Sequence, residues 1–393
     1  MRRIAMNKKI YFDNAATSFP KPAAVTEAMI YYLTELGVNI NRGCYDNAFK
    51  AEDVLFETRE LICELFGGND PRNVVFTKNI TESLNFVIKG LLQPGDHVLV
   101  SSMEHNAVMR PLMQLTAQGI TFDRIPCAPD GSMDPASIEP LIKPNTRAVI
   151  LLHASNVCGT ILPIPEIGKL CAKNGLIFIV DSAQSAGVLD LNMEDMHIDA
   201  LCFTGHKSLL GPQGIGGFVL KEHMINMLTP LISGGTGSIS HTELIPEFMP
   251  DRFEAGTMNL PGIFGLNAAL KYLNSVGIST IRKQETDLTR HMLQELSALE
   301  TAAGQLRIVG KNTTEGRTSV ISISTPNHDP AQVAFDLDQE FSIMTRVGLH
   351  CAPSAHKTLG TFPTGTIRFS FGPHNTHDEI DLAIGALKTI LSR

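Results

Sequence analysis

Two short segments of this chain end in residues that could carry out chemistry together. The apolar run Ile-Phe-Ile-Val-Asp ends at Asp181, and the segment Leu-Cys-Phe-Thr-Gly-His-Lys ends at Lys207, 26 positions later. A lysine can form an imine with an aldehyde, and an acid can keep a pyridine nitrogen protonated so that the ring accepts electrons. An acid and a lysine in these positions are what a pyridoxal 5'-phosphate site needs.

Each of these two residues also has a simpler interpretation. Lys207 could simply be a surface lysine at a strand end. To form imines, it needs a pKa that is about three units below ~10.4, which burial and neighbouring positive charge can produce. The apolar residues before Lys207 and the glycine-rich loop at 211–217 behind it favour the cofactor site. Asp181 could cap a helix or bind magnesium, although a single carboxylate is a poor magnesium site.

A cysteine near the other end of the chain suggests what such a site would do. Cys351 lies in a stretch containing glycine and proline, which predicts a loop. Exposure and the nearby Arg346 and His350 favour the thiolate, which is the nucleophilic form. An incidental surface cysteine is the alternative. Arg368 lies between apolar residues of a predicted strand, where it either pairs within the core or binds a substrate carboxylate with its planar guanidinium.

The hydrophobic pattern predicts the framework that positions these residues. Between about residues 70 and 220, apolar runs alternate with helical patterns, which is typical of an α/β protein with a mostly parallel sheet and helices on both faces. Ligands of such sheets bind beyond the carboxyl ends of the strands. The polar residues expected to meet there are Thr77, Glu104, His105, Asn156, Asp181, Gln184 and Thr204 to Lys207.

The predicted strands of this region are 74–77, 97–101, 148–153, 177–181, 200–204 and 217–220, and the predicted helices are 81–92, 107–118, 135–142 and 164–174. A long loop follows residue 231. A helical stretch from 261 to about 299 then leads to an α+β region with strands at 306–309, 320–324, 342–346 and 366–370 and helices at 331–339 and 377–391. We therefore predict a large domain over residues 15–260 and a small one formed by residues 1–14 and 261–393.

Two further positions are open to two interpretations. Asn79 is expected to cap a helix with Glu82 three residues later, and the start of that helix, with the Thr81 hydroxyl, could hold a phosphate group or simply be a capped helix end. His105 lies where a strand turns into a helix. It could stack on a flat ring or move a proton, or it could only cap the helix.

The composition excludes several other classes of protein. Hydrophobic residues make up 43% and charged residues 18% of the 393 positions, and the formal net charge of −8 argues against non-specific nucleic-acid binding. No apolar run is long enough to cross a membrane, and the first residues do not form a secretion signal. Seven cysteines without a Cys-x-x-Cys pair argue against a disulfide framework and against a zinc site. We expect a reducing cytoplasm and no metal.

With these residues in view, the chain resembles the cysteine desulfurases, in the class V aminotransferase branch of the fold-type I pyridoxal phosphate enzymes. The resemblance runs from Tyr-Phe-Asp-Asn-Ala-Ala-Thr at residues 11–17 to the last helix. Its other motifs are Thr-Glu-Ser-Leu-Asn (81–85), Glu-His-Asn-Ala (104–107), Ser-Asn-Val-Cys-Gly (155–159), Val-Asp-Ser-Ala-Gln (180–184), Thr-Gly-His-Lys (204–207), Phe-Glu-Ala-Gly-Thr (253–257) and Arg-x-Gly-x-His-Cys (346–351). The last motif is similar to the group-II branch, which includes selenocysteine lyase-like members.

The resemblance implies a role for each candidate residue. Lys207 would be the Schiff-base lysine, Asp181 the pyridinium partner, Gln184 a partner of the ring oxygen, and His105 a ring-stacking residue that takes part in proton transfer. The phosphate would be held by Thr81, Thr204, His206 and, from the neighbouring subunit of a homodimer, Thr257. Asn156 and Arg368 would bind the substrate carboxylate, and Cys351 would accept sulfur. Further candidates are Glu82 and Asn156 for the cofactor and Asn14 and Arg346 for the substrate.

The implied reaction is desulfuration of L-cysteine to L-alanine, with sulfur held on Cys351 as a persulfide for an acceptor such as a sulfur-acceptor protein. Two departures concern the substrate: residues 42–45 are Arg-Gly-Cys-Tyr where the family often has Arg-Gly-x-His, and residues 347–349 are Val-Gly-Leu. The alternatives are a selenocysteine lyase or a C–S lyase, and an aminotransferase or epimerase, which would not need Cys351. A non-enzymatic persulfide carrier is also possible in principle, although Lys207, Asp181 and His105 together argue against it.

Overall fold

The structure is a computed structural model that describes residues 9–41 and 43–393, with the backbone alone at residues 301–303. Two sequence predictions lie partly outside these residues. One is the N-terminal stretch, where residues 1–8 were expected to form no secretion signal and to belong to the small domain. The other is the unusual motif at 42–45, because Arg42 is not among the described residues.

Helices and strands alternate along much of the chain. The strands are β1 Ile10–Tyr11, β2 Val74–Thr77, β3 His97–Ser101, β4 Thr121–Ile125, β5 Thr146–Leu152, β6 Ile177–Asp181, β7 Ala200–Thr204, β8 Gly216–Leu220, β9 Arg307–Val309, β10 Val320–Ser324, β11 Ile343–Met344, β12 Arg346–Gly348 and β13 Thr366–Ser370. The α-helices are α1 Ala23–Tyr31, α2 Asp46–Leu65, α3 Ile80–Leu91, α4 Asn106–Leu115, α5 Ile164–Lys173, α6 Leu260–Val276, α7 Ile278–Ala303, α8 Pro330–Phe341, α9 Pro353–Thr358 and α10 His377–Leu391.

A seven-stranded sheet lies at the centre of the molecule, in the order β2-β8-β7-β6-β5-β3-β4. Strand β8 runs antiparallel to both of its neighbours, and the other neighbouring strands pair in parallel. The inner strands β6 and β7 are buried along their whole length, which explains why they are continuous apolar runs rather than alternating ones. This confirms the predicted α/β fold with a seven-stranded, mostly parallel sheet.

Helices cover both faces of this sheet. Val98 and Val100 of β3 pack in a core with helices α3 and α4, whereas Leu99 packs in a second core with α1, α2, α5 and α6. Successive side chains of a strand point to opposite faces, so one apolar strand contributes to both cores. The strand ends are thereby held rigidly, which matters because the candidate site residues follow directly from them.

A smaller, antiparallel sheet has the order β12-β13-β10-β9 and packs on helices α7, α8 and α10 around a third core. Strand β1 pairs in parallel with β11, so the N-terminal segment is attached to this C-terminal region. Helix α6, which the sequence grouped with the small domain, packs against α1 and α2 beside the larger sheet. The division into two domains at residue 261 stays a prediction.

Four local predictions differ from the structure. The edge strand β4 was missed because its exposed Thr121 and its charged Asp123 and Arg124 hide the strand pattern. Residues 135–142 form two 3₁₀ turns rather than a helix, since Pro140 has no N–H to donate. The helix expected from 261 to 299 is interrupted at Gly277, whose φ of +84° lies outside the helical region. The single strand expected at 342–346 is replaced by β11 and β12.

A long loop between residue 225 and α6 carries the Phe-Glu-Ala-Gly-Thr motif and is attached to α2 by a buried ion pair. Arg59 Nη2 lies 2.6 Å from Glu254 Oε2, and the two side chains are 4% and 7% exposed. Glu254 Oε1 also accepts the N–H of Phe76 at 2.7 Å, and Arg59 donates to the carbonyl of Val74. One carboxylate therefore joins the loop, α2 and β2.

Replacing Glu254 by glutamine should lower the free energy of unfolding by about 3–5 kcal/mol, because the guanidinium of Arg59 would remain buried without a counter-charge. Urea unfolding followed by circular dichroism measures this. The matched control is Glu340→Gln, which breaks the ion pair with Arg393, whose side chains are 43% and 49% exposed. That control should cost far less, because solvent screens an exposed ion pair. Equal losses in the two variants would contradict the prediction.

All seven cysteines are free thiols. Cys63, Cys158, Cys171 and Cys202 are buried and Cys127 is half-buried, so the exposed thiols are those of Cys44 and Cys351. Cys44 is therefore a natural control for Cys351. Within the described residues, no helix is both long and apolar enough to cross a membrane.

Candidate active site

The carboxyl ends of four parallel strands meet at one crevice. His105 follows β3, Asn156 follows β5, Asp181 ends β6 and Thr204 ends β7. Asp181 lies opposite Leu152 of β5 on one side and Cys202 of β7 on the other. The predicted convergence of these residues therefore occurs, because the four strands are adjacent or nearly adjacent in the sheet.

Lys207 lies three residues after β7 and keeps part of its surface accessible. Burial of its ammonium group lowers the pKa to about 8; the negative charge of Asp181 opposes this shift, and the positive charges of Arg368 and Arg346 add to it. The direction is the one that imine formation requires. The uncharged fraction of Lys207 near neutral pH is thus larger than that of an ordinary surface lysine, although the ammonium form still predominates.

Asp181 is 5% exposed, and burial raises its pKa despite the opposing charge of Lys207. Its Oδ1 accepts the N–H of Ala183 at 2.9 Å. A buried carboxylate in this position is stabilised by a cation, and a protonated ring nitrogen would be one.

The amide nitrogen of Gln184 donates to the carbonyl of Ala15 at 2.9 Å. In the described part of the chain, no group of three or more His, Cys, Asp or Glu side chains could hold a metal ion.

His105 is the N-cap of α4 and also lies at the crevice, and its role in ring stacking or proton transfer stays a prediction. Its Nδ1 accepts the N–H of Ala107 at 3.0 Å. Burial lowers its pKa to about 4, with further contributions from the charges of Lys207, Arg110 and Arg368. Because Nδ1 is an acceptor, the neutral ring carries its hydrogen on Nε2. His105 can become a cation only by giving up the helix cap.

Buried polar atoms without a partner lie beside Lys207. The hydroxyl of Thr204, Nδ1 of His206 and Oδ1 of Asn156 have no hydrogen-bond partner among the described residues. Unsatisfied buried polar atoms are rare in folded proteins and often mark the place of a missing ligand. Burial lowers the pKa of His206 to about 4, with a further effect of Lys207 and Lys21. These atoms fit a bound anion with several acceptor oxygens and a polar ring substituent.

The start of α3 lies next to this group. Gly216 of β8 pairs with Thr204, and a Cβ on Gly216 would come within 3.0 Å of Cα of Asn79, so the glycine permits the close approach. Asn79 caps α3 through the N–H of Glu82 at 3.0 Å, as predicted. Thr81 is exposed on the first turn. Glu82 lines a cavity of about 190 Å³ together with Thr257 of the long loop.

Arg368 is paired within the protein, and the binding of a substrate carboxylate by it stays a prediction. Its Nη2 lies 2.8 Å from Oδ1 of Asp13 and its Nη1 donates to the carbonyl of Asn156 at 3.0 Å, so it is paired. Its Nε, however, is buried without a partner among the described residues. Arg346, which is half exposed, donates to the other oxygen of Asp13 at 3.1 Å. Asn14 is bonded within the framework, because its amide donates to Ser370 and Asn375.

Cys351 is held at the edge of the crevice by its backbone. Its carbonyl accepts the N–H of Asn106 at 2.8 Å, and the carbonyl of His350 accepts from Nδ2 of Asn156 at 2.7 Å. His350 and Cys351 have φ angles of +46° and +56°, an uncommon conformation that costs on the order of 1 kcal/mol each. The thiol is exposed, as expected for a loop position.

One expectation about Cys351 is wrong. His350 was expected to add positive charge beside the thiol, but burial lowers its pKa to about 2, so that His350 is neutral. Its Nε2 is 2.9 Å from the Thr366 hydroxyl. The sequence shows the polar character of His350 but not that β13 covers it.

Two crevice residues were not predicted as site residues. Asp13 bridges the two arginines, and Lys21 donates to the carbonyl of His206 at 2.7 Å, with burial lowering its pKa to about 8. Asp13 belongs to a motif that the sequence showed, but its partners are 333 and 355 positions away. Nothing local in the sequence indicates such a contact.

Comparisons with known proteins agree with this geometry. The aminotransferase class-V family matches residues 10–382. A probable cysteine desulfurase of Pyrococcus abyssi is 35% identical over 390 residues, which cover 97% of this chain and 94% of that protein. A probable cysteine desulfurase of Methanothermobacter thermautotrophicus is 34% identical over 385 residues, with the same coverage. The chain belongs to the cysteine desulfurase family. Members of this family are pyridoxal phosphate enzymes.

Solved structures of the cysteine desulfurase family have the same fold. The apo structure of a cysteine desulfurase from Thermococcus onnurineus NA1 is similar with a TM-score of 0.91 and 34% identity, covering 98% of this chain and 95% of that one. The cysteine desulfurase CsdA from Escherichia coli, in an S-sulfonic acid form, gives a TM-score of 0.86 at 28% identity, with the same coverage. The similarity thus includes both sheets.

Proposed function

We propose that this protein uses pyridoxal 5'-phosphate to convert L-cysteine to L-alanine and keeps the sulfur on Cys351 as a persulfide. The observation that carries the proposal is the attachment of the Cys351 segment to the crevice. Two hydrogen bonds, from Asn106 and from Asn156, hold an exposed thiol beside the residues that surround Lys207. A surface cysteine without a function would not need two crevice residues to fix its backbone in an uncommon conformation.

The residues of the crevice fit the cofactor. Lys207 would hold it through Nζ, Asp181 would pair with the ring nitrogen, and Gln184 and Asn156 would face the ring oxygen. The unpartnered Thr204 hydroxyl and His206 Nδ1, with Thr81 at the start of α3, would bind the phosphate. Glu82 would support this helix start, since its Oε2 accepts the N–H of Lys78 at 2.6 Å. His105 would stack on the ring, with Nδ1 fixed by the helix cap.

The side chains of this protein would then each have a different role in the reaction. When bound, pyridoxal phosphate accepts the electrons of the substrate Cα–H bond. Lys207 can take and return a proton at Nζ because its pKa lies near 8. Arg368, through its unpartnered Nε, would bind the substrate carboxylate together with Asn156, with Arg346 and Asn14 around them. The Cys351 thiolate would attack the substrate sulfur, so that an S–S bond forms as the carbon–sulfur bond breaks. The electron pair of the broken bond stays with the substrate carbon, which takes up a proton to give alanine, and Cys351 is left as a persulfide.

We also propose a homodimer with shared sites, acting in a reducing cytoplasm. Thr257 lies beside Glu82 on a loop that reaches the outer surface, where a second subunit could receive it. Exposed apolar side chains on α2, namely Phe49 and Phe56, support an interface, and Phe56 lines one cavity together with Gly256 of the loop. Seven free thiols are typical of a reducing compartment. A sulfur-acceptor protein is the expected consumer of the persulfide.

The test is the product formed from L-cysteine by the purified, cofactor-loaded protein with an excess of a thiol reductant. Alanine and sulfide in equal amounts are expected. Pyruvate and ammonia would instead mean β-elimination, and the protein would be a C–S lyase. A coloured protein without turnover would contradict cysteine as the substrate, and parallel assays with L-selenocysteine would then test the lyase alternative.

A further inference from the structure

We propose that Asp13 is a positioning residue that restricts the substrate to amino acids with a single carboxylate. It does so by bonding to both of two adjacent arginines, so that one guanidinium edge of Arg368 is left for the substrate. The inference rests on the proposed function and adds to it a determinant of substrate choice. It follows from the contacts of Asp13, Arg346 and Arg368.

The small sheet brings the two arginines together. Arg346 of β12 lies directly opposite Arg368 of β13 in an antiparallel pair, so both side chains are on the same face. Like charges in this arrangement repel each other. Asp13 offsets the repulsion, because its Oδ1 lies 2.8 Å from Nη2 of Arg368 and its Oδ2 lies 3.1 Å from Nη1 of Arg346. The carboxylate thus bridges two strands of the same sheet from the N-terminal segment.

The contacts of Arg368 define which of its donor atoms has no partner among the described residues. The arginine is 2% exposed, its Nη1 donates to the carbonyl of Asn156, and its Nη2 is paired with Asp13. Its Nε is buried without a partner among the described residues. Nε and Nη2 share one edge of the planar guanidinium, and Nη2 has a second hydrogen. A carboxylate can therefore bind to this edge through two parallel hydrogen bonds while Asp13 stays in place.

The net charge of Asp13, Arg346 and Arg368 leads to the same selectivity. Two guanidinium groups and one carboxylate leave a single positive charge, which matches one substrate carboxylate. Without the charge of Asp13, Arg346 would be free for a second carboxylate. The three side chains lie near enough to Lys207 for their charges to affect its pKa. An acidic side chain on the substrate would thus meet an arginine that is already occupied.

The test compares L-alanine with L-aspartate, which differ by one carboxylate. Binding to the holoenzyme is followed through the change in cofactor absorbance, in the wild type and in Asp13→Asn. The substitution should lower the ratio of alanine affinity to aspartate affinity by about tenfold. The contact of the Asp13 carboxylate with Arg346 is lost, and a contact of Arg346 with the second carboxylate of aspartate is gained. Asp13→Glu, which keeps the charge, should restore most of the ratio. The control is Asp287→Asn, which removes the same charge from an exposed pair with Arg290.

Each outcome bears on the proposal. Equal weakening of both amino acids in Asp13→Asn would mean that Asp13 only supports the fold, and an unchanged ratio would also overturn the inference. The same two ligands are added to the cofactor-free protein, and the rise in the thermal unfolding midpoint is measured for each. If the proposed function fails because no cofactor binds, this second readout still shows whether Asp13→Asn shifts the preference towards aspartate. No shift there would overturn the inference independently.

Discussion

Replacement of Lys207 by alanine should reduce alanine formation from L-cysteine by roughly 10³-fold or more, because the variant loses both the covalent anchor and the group that moves protons. The cofactor absorbance should also disappear on dialysis. Lys207→Arg should behave in the same way, since it keeps the charge but cannot form an imine. The control is Lys221→Met, which removes a lysine paired with Glu194 outside the crevice. Turnover with a retained cofactor in Lys207→Ala would contradict the assigned role.

The pH dependence of cofactor capture gives a second test of the same residue in the unmodified protein. Only the uncharged amine attacks an aldehyde, and burial lowers the pKa of Lys207 to about 8. Below that pH most of Lys207 is an ammonium ion, so the rate should rise with pH, pass its midpoint near 8 and level off above it. An ordinary lysine would show the midpoint near ~10.4. Stopped-flow absorbance on the cofactor-free protein distinguishes the two curves.

The second large effect is expected for Cys351→Ala. Sulfur release should fall to roughly a hundredth or less of the wild-type rate, because the attacking nucleophile is removed. The absorption spectrum of the bound cofactor should be unchanged, since Cys351 contacts the crevice through its backbone carbonyl rather than through its sulfur. Persulfide is measured by mass spectrometry of the peptide containing residue 351.

The comparison for this variant is Cys44→Ala, which removes the other exposed thiol. It should keep both the rate and the persulfide. An unchanged rate of sulfur release in Cys351→Ala would overturn the role of Cys351, and equal losses in both variants would point to a general effect of thiol removal.

Those parts of the crevice that depend on strand ends were predictable from the sequence. Asp181 and Thr204 each end an apolar run, and buried parallel strands must end at one edge of the sheet. The capping of α3 by Asn79 was also predictable, because an N-cap depends on residues only a few positions away. In these cases local sequence and global fold require the same arrangement.

The parts that depend on distant contacts were not predictable. The burial of His350, which makes it neutral, results from β13 packing over it and from Thr366. The occupation of Arg368 by Asp13 joins opposite ends of the chain. The sequence pattern of residues 121–125 did not predict a strand, because an edge strand is only partly buried and carries polar residues. Each of these depends on which segments meet, and a single sequence carries little information about that.

The pairing of β1 with β11 has a consequence for biosynthesis. Translation proceeds from the N-terminus, so residues 10–13 leave the ribosome long before residues 343–370, with which they pair. The crevice around Lys207 can begin to form as soon as residues 74–220 are available, but its arginine side has to wait for nearly the whole chain. Asp13 remains an unpaired carboxylate until then. A prematurely terminated chain would therefore present the lysine without the two arginines that Asp13 bridges.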